Sequence, residues 1–167
     1  MLRDIPDFPT PGVVFKDITP LIGDAGAFAS CVEALAASFA GHGVDKVVGI
    51  EARGFIVAAP VAVRLGAGFV PVRKPGKLPG QVRSASYDLE YGTDGLELHH
   101  DALLPRQRVL MIDDVLATGG TAAAAGRLVE GSGATAVGFG CIIELEFLGG
   151  RGKLNGLETV SLVNYER

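Results

Sequence analysis

Two carboxylates, Asp113 and Asp114, stand side by side, and Thr118, Gly119, Gly120 and Thr121 follow shortly after as a tight turn rich in glycine and hydroxyl groups. The apolar run Val109, Leu110, Met111 and Ile112 comes before them, and an alanine-rich run begins at Ala122. A short continuous apolar run reads as a buried strand of a parallel sheet, here ending at the acidic pair. Alanine has the strongest helix propensity, so a helix is expected from Ala122 to about Gly131. The order is strand, acidic pair, glycine turn, helix. Glycine lets backbone approach a ligand and take positive φ. A helix that starts at such a turn aims unpaired N–H groups and its positive dipole end at it, which suits a phosphate monoester. Thr118 and Thr121 add hydroxyl donors. The aspartates would repel phosphate but can accept hydrogen bonds from a neighbouring diol. Phosphate beside sugar hydroxyls describes a 5-phosphoribosyl group. No GxxxxGKS/T string and no GxGxxG after a strand is present, which argues against a P-loop and a dinucleotide fold.

Two further stretches carry charge in suitable places. The apolar run of residues 46–50 leads into Glu51, Ala52, Arg53 and Gly54, then a helix over residues 55–65. Open α/β sheets bind ligands at the carboxyl ends of such strands, and a guanidinium fork matches phosphate oxygens. Taken alone, Glu51 and Arg53 would be a surface ion pair. A strand over residues 69–72 leads into Arg73, Lys74, Pro75, Gly76 and Lys77. Three cations in a bendable loop suit a pyrophosphate, although a solvated basic turn has the same composition.

The remaining elements must hold these loops in place. Residues 4–21 contain Pro6, Pro9, Pro11 and Pro20, so an extended arm without regular structure is expected. Phe15 within it could stack on a flat ring while unpaired backbone groups read the ring edge. Residues 26–40 have helical apolar spacing. Residues 80–98 lack a clear core pattern and read as an exposed hairpin or flap, with Gly92, Thr93, Asp94 and Gly95 as its turn. Strands are expected over residues 134–145 and 159–163, with a loop or broken helix between them. Strands alternate with helices, so the fold class is α/β, a parallel five-stranded core sheet flanked by helices.

Composition narrows the class. The chain has 167 residues, enough for one domain with a substantial core. At 48% hydrophobic and 20% charged it has a soluble globular profile. The net charge of −4 argues against a general nucleic-acid binder. No apolar run is long enough to span a bilayer, and the N-terminus lacks the core of a signal peptide. Cys31 and Cys141 have no metal-ligand spacing and read as reduced core thiols of an intracellular, cytoplasmic protein.

The string VLMIDDVLATGGT resembles the signature of the type I phosphoribosyltransferases, which bind 5-phosphoribosyl-1-pyrophosphate. PDFPTPGVVFKDITPL resembles the N-terminal signature of the adenine-specific branch, and GIEARGF, RKPGKLPG and SASYDLEYG resemble three further segments of it. The resemblance runs from Asp4 to Tyr165. It implies a single domain, with residues 1–25 as a base-binding hood arm, 74–100 as a flexible flap and 109–126 as the phosphoribosyl pyrophosphate motif. It implies phosphoribosyl transfer to adenine, giving AMP and pyrophosphate in purine salvage. Asp113, Asp114, Ala117, Thr118, Gly119, Gly120 and Thr121 would bind the phosphoribosyl group. Glu51, Ala52, Arg53, Arg73, Lys74 and Lys77 would bind pyrophosphate, with Glu51–Ala52 the candidate for a non-proline cis peptide. Val14, Phe15 and Lys16 would bind adenine. Glu90 and Arg53 would be catalytic, and Tyr91 would cover the site. Magnesium would enter through the pyrophosphate, with no direct protein ligand, and the chain would form a homodimer. Related enzymes use other bases such as xanthine or orotate; the N-terminal arm favours adenine. A nucleotide-sensing regulator on the same fold would need a DNA-binding part, and no basic helix is present.

Overall fold

The computed structural model describes residues 1–89 and 92–166. Its core is a five-stranded parallel sheet of β3 (Lys46–Ile50), β4 (Gly68–Val72), β7 (Arg108–Leu116), β8 (Thr135–Leu145) and β9 (Thr159–Tyr165). The strand order is β4-β3-β7-β8-β9. From the carboxyl end of β3 the chain crosses through α3 (Gly54–Leu65) to β4 on one side, and from the carboxyl end of β7 it crosses through a helix over Gly120–Gly131 to β8 on the other. The carboxyl ends of β3 and β7 therefore diverge around a crevice, the place where open α/β sheets bind ligands.

Strand alternation sorts the core onto two faces. Val47, Leu110, Ile112 and Ile142 face α2 (Ala25–Phe39) and α3, packing with Leu35, Phe39, Val57 and Val61. Val48, Ile50, Met111 and Phe139 face the opposite way, toward α4 (Gly120–Gly131) with Ala124 and Leu128. Asp24 caps α2, its carboxylate accepting the Ala27 N–H at 2.8 Å. Gly43 and Gly66, both at positive φ, end the turn after α2 and end α3. Cys141 is buried and Cys31 only partly so. Among the described residues no helix is long and apolar enough to cross a membrane.

Several expectations need correction. The acidic pair does not end its strand: β7 runs on to Leu116, which pairs with Glu144 of β8. Both aspartates are thus held on a hydrogen-bonded ladder. The helix after the glycine turn starts at Gly120, ahead of the alanine run. The N-terminal arm is partly regular: β1 (Arg3–Pro6) and β2 (Val14–Asp17) form an antiparallel ribbon, followed by α1 (Thr19–Ile22). Its prolines sit at a strand end, in the connecting loop and at a helix start, where a missing N–H costs little. Gly92 to Gly95 is no turn but the start of β6 (Gly92–His99), paired with β5 (Val82–Leu89). Gly95 sits there because Pro75 crosses close by; an added Cβ would lie 3.2 Å from the Pro75 ring.

The base of this hairpin is core, not flap. Leu96 and Leu98 are fully buried in the α4-side cluster, and Tyr87 is nearly so. The Arg127 guanidinium of α4 donates to the Ser86 carbonyl at 2.5 Å, and Arg73 and Glu97 exchange two backbone hydrogen bonds. The loop after β4 is thereby tied to the hairpin.

Gly49 sets how closely α3 lies on the sheet. A Cβ there would fall 2.8 Å from the Ala58 methyl and 2.6 Å from the Phe69 ring. We expect Gly49→Ala to overpack this contact and cost about 1–3 kcal/mol. Thermal unfolding tests it; an unchanged Tm would show that α3 can withdraw from the sheet without loss.

Candidate active site

At the crevice a cavity of about 390 Å³ brings together Ala52, Arg53, Lys74, Asp113, Asp114 and Thr121. Three loops that are far apart in sequence meet there, because β3 and β7 are neighbours and the loop after β4 lies next to β3.

Asp114 is buried, and its Oδ2 lies 2.8 Å from Arg53 Nε. Asp113 accepts the Asp114 N–H at 2.9 Å. Gly54 permits this approach of loop to strand: a Cβ there would sit 2.9 Å from Asp113 Oδ1. Desolvation, and then the neighbouring Asp114 charge, push the Asp113 carboxyl well above the ordinary carboxylate range. Two adjacent carboxylates sharing one guanidinium cannot both ionise cheaply. A ligand offering hydroxyl donors would relieve that repulsion. Arg53 reaches further, its guanidinium carbon lying 4.8 Å from the centre of the Phe15 ring. It thus joins the acidic pair to the N-terminal ribbon.

The Glu51–Ala52 peptide is cis. The Glu51 carboxylate accepts Arg73 Nη2 at 3.1 Å, Arg73 Nε at 3.3 Å and the Lys74 N–H at 2.8 Å. Partial desolvation works to raise the Glu51 carboxyl, but the Lys74 N–H and the Arg73 charge outweigh it and hold the pKa below its usual value. Arg73 Nη1 also donates to the Lys77 carbonyl at 3.2 Å. Of the three expected clamp cations, Arg73 is therefore committed to Glu51. Lys74 is paired with Tyr87 and Asp94 of the hairpin, and Lys77 is exposed.

The turn over residues 117–121 encloses a smaller pocket of about 70 Å³ at the start of α4. Gly119 has φ +76°, and no side chain caps the helix, so the first-turn N–H groups stay open toward the pocket. The turn has a support that sequence reading missed. Gly150, in the 3₁₀ turn of Gly150–Leu154, lies directly against it: a Cβ at Gly119 would come within 3.0 Å of Gly150 Cα. Arg151 fixes that segment through Glu144, donating from Nε to Oε1 at 3.0 Å, and Ser161 donates to the same carboxylate at 2.8 Å. Only the doubled glycine at Gly149 and Gly150 hinted at so close a backbone approach.

The N-terminal ribbon covers this end of the sheet. Arg3 pairs with Asp17 at 2.6 Å, and Asp17 also accepts the Thr19 hydroxyl at 2.5 Å and its N–H at 2.9 Å. The Thr19 hydroxyl first, then its N–H and Arg3, pull the Asp17 carboxyl down to about 2. The Lys16 ammonium pairs with Asp4 at 2.8 Å and lies 3.9 Å from the centre of the Tyr165 ring, an anchor absent from the sequence reading. Phe15 meets Phe8 edge-on, with ring centres 5.2 Å apart. Antiparallel pairs alternate between those that exchange hydrogen bonds and those whose groups point outward. Pro6, without an N–H, faces Val14. Val14 and Lys16 therefore present their N–H and C=O groups on the open edge of the ribbon. Glu90 and Tyr91 lie outside the described residues. Among the described residues no group of three or more His, Cys, Asp or Glu side chains could hold a metal ion.

The Gly119–Gly150 contact allows a direct check of the phosphate turn. A methyl at Gly150 would collide with the Ala117 carbonyl and push the turn out of shape. Gly150→Ala should therefore weaken ribose 5-phosphate binding roughly 10- to 100-fold, the worth of misplaced donors to a charged group. Calorimetry near the wild-type value would show that the turn does not hold the phosphate.

Comparison with known proteins agrees with this geometry. The family model described as "Phosphoribosyl transferase domain" matches residues 22–154. The adenine phosphoribosyltransferase of Acidothermus cellulolyticus is 61% identical over 153 residues, covering 92% of this chain and 86% of that protein. The crystal structure of adenine phosphoribosyltransferase from Thermoanaerobacter pseudethanolicus superposes with a TM-score of 0.96 at 53% identity, over 99% of this chain and 96% of the other. The Saccharomyces cerevisiae enzyme, complexed with an imino-altritol bisphosphate and adenine, gives 0.91 at 41% identity, over 96% and 93%. A shared family model across most of the chain, close relatives and the same fold lead to one conclusion: the chain belongs to the phosphoribosyl transferase family, in the branch of the adenine phosphoribosyltransferases.

Proposed function

We propose that the chain transfers the 5-phosphoribosyl group from 5-phosphoribosyl-1-pyrophosphate to adenine, giving AMP and pyrophosphate in purine salvage. The observation that carries this reading is the single crevice in which the acidic pair, the uncapped turn of α4 and the cation-bearing loops meet beside an aromatic ribbon.

The residues divide the substrate among them. Ala117, Thr118, Gly119, Gly120 and Thr121 hold the 5-phosphate through the α4 N-terminus. Asp113 and Asp114 accept the ribose hydroxyls and favour positive charge on the sugar ring. Ala52, Arg53, Lys74 and Lys77 face the diphosphate, and Glu51 and Arg73 shape the loop that presents them. Residues 1–25 form the hood: Phe15 stacks on the purine, and the outward N–H and C=O groups of Val14 and Lys16 read its edge. Residues 74–100 include the flap that closes over the site, with Tyr91 as part of the cover. The bond from C1′ to the pyrophosphate oxygen breaks, leaving an oxocarbenium-like sugar, and a ring nitrogen of adenine bonds to C1′. The proton on that nitrogen passes to Glu90. Closure excludes water, which would otherwise hydrolyse the activated sugar.

Magnesium, when bound, would neutralise charge developing on the departing diphosphate. The carboxylates here suit a metal that arrives on the substrate, since Glu51 and Asp114 are already engaged with arginines. The protein acts as a homodimer in the cytoplasm. Ile56 and Val63 on the outer face of α3 and Phe69 on edge strand β4 are exposed, and large exposed apolar side chains grouped on one face suit an interface.

The experiment is pyrophosphate release from phosphoribosyl pyrophosphate with each base in turn. Adenine should react well and hypoxanthine poorly, because the ring oxygen of hypoxanthine would oppose a carbonyl on the ribbon edge. Comparable kcat/KM for the two bases would remove the ribbon from base selection. For the proton step, Glu90→Gln keeps size but cannot exchange a proton. Its kcat should drop by about 10²- to 10⁴-fold with little change in Tm or in phosphoribosyl pyrophosphate binding. A normal single-turnover rate would leave the proton to water or phosphate.

A further inference from the structure

The Lys74 ammonium is held by two side chains of the β5–β6 hairpin. Its Nζ donates to the Tyr87 hydroxyl at 2.6 Å and is ion-paired with the Asp94 carboxylate. The Tyr87 hydroxyl donates to the same Asp94 oxygen at 3.0 Å. Tyr87 and Asp94 are directly opposite each other across β5 and β6, so the hairpin presents them as one pair of jaws. Asp94 is itself held, its other oxygen accepting the Gly95 N–H at 2.7 Å.

The backbone around Lys74 is fixed as firmly. The Lys74 N–H is bound to Glu51, Arg73 is bridged to Glu97, and the Gly76 N–H donates to the Glu97 carboxylate at 2.9 Å. What remains adjustable is the side chain: Lys74 lines the crevice, and its charge is turned to the hairpin. An anion entering the crevice must draw that charge away from Asp94.

We propose that Asp94 is a positioning residue, a built-in counter-anion that competes with the diphosphate for Lys74. The proposal rests on the reading that Lys74 binds the diphosphate. In the empty site Asp94 neutralises the lysine and holds it in a defined place. When the diphosphate binds, Lys74 exchanges one anion for another and the hairpin loses an anchor to the basic loop. When pyrophosphate has formed, the waiting carboxylate favours its departure. Asp94 therefore weakens affinity for the diphosphate, and a residue that merely braced the fold would strengthen it.

The sign of that effect is the test. Magnesium pyrophosphate is titrated by calorimetry into the wild-type chain, Asp94→Asn, Lys74→Met and the double variant, with steady-state kinetics beside them. Asp94→Asn should bind magnesium pyrophosphate roughly two- to fivefold more tightly, the worth of a partly exposed ion pair. The KM for phosphoribosyl pyrophosphate should fall in step. In the Lys74→Met background the same substitution should have no effect. Tyr87→Phe keeps the charge and should tighten binding less. Asp94→Ser serves as a second variant if the asparagine fails to fold. Failure of both to fold would overturn the proposal and assign Asp94 to holding the hairpin together. Unchanged or weaker binding by a folded Asp94→Asn, with normal wild-type binding, overturns the counter-anion alone. No magnesium pyrophosphate binding by the wild-type chain, or equal binding by Lys74→Met, overturns the reading of Lys74 and the counter-anion with it.

Discussion

The parallel pairing of β3 with β7 is the constraint on which the rest depends. The chain leaves β3 through α3 toward β4 on one side and leaves β7 through α4 toward β8 on the other, so the two carboxyl ends part and leave a gap. The Glu51–Arg53 loop occupies one lip and the acidic pair the other. Close contact between the lips depends on small groups. Gly54 lets the loop come up against Asp113, and Gly49 lets α3 settle onto the sheet behind it. A Cβ at Gly54 would press on Asp113 Oδ1 at 2.9 Å and the Ile112 carbonyl at 3.1 Å.

The charges in the gap are arranged as internal pairs. Arg53 neutralises Asp114, Arg73 neutralises Glu51, and Lys74 is matched by Asp94. A cluster of bare cations would repel itself in the absence of ligand, and two bare carboxylates would do the same. Pairing lowers both costs, although Asp113, beside the paired Asp114, remains disfavoured as an anion. The pairs also link parts that would otherwise move separately: Arg53 connects the acidic pair to Phe15 of the ribbon, and Lys74 connects the basic loop to the hairpin.

The phosphate turn illustrates a different economy. An anion at the start of α4 would be bound by backbone N–H groups, so it is the path of the main chain that must be held. Gly119 takes a left-handed conformation and Gly150 backs it with main chain against main chain. The buried Glu144 carboxylate, with Arg151 and Ser161, keeps that backing in place from the next strand.

Much of this was written locally. Apolar runs and helical spacing placed the five strands and the long helices, because burial on both faces of a parallel sheet leaves an unbroken apolar signature. The acidic pair, the glycine turn and the basic loop were legible because their chemistry depends on residue type and short spacing. Other features could not be read this way. Leu96 and Leu98 looked like part of an exposed flap, since a strand covered by α4 on one face differs little in pattern from a solvated one. The Gly92–Gly95 segment looked like a turn, since glycine in a turn and glycine beneath a crossing proline have the same letter. The partners of the cations were invisible: nothing near Lys74 in sequence indicates Asp94 or Tyr87, and nothing near Gly119 indicates Gly150. The sequence by itself determined which groups are available, because composition and local spacing set charge, hydrogen-bonding capacity and backbone freedom. Only the tertiary structure decided which groups neutralise one another, because ion pairs and main-chain contacts form between residues that topology brings together across long stretches of chain.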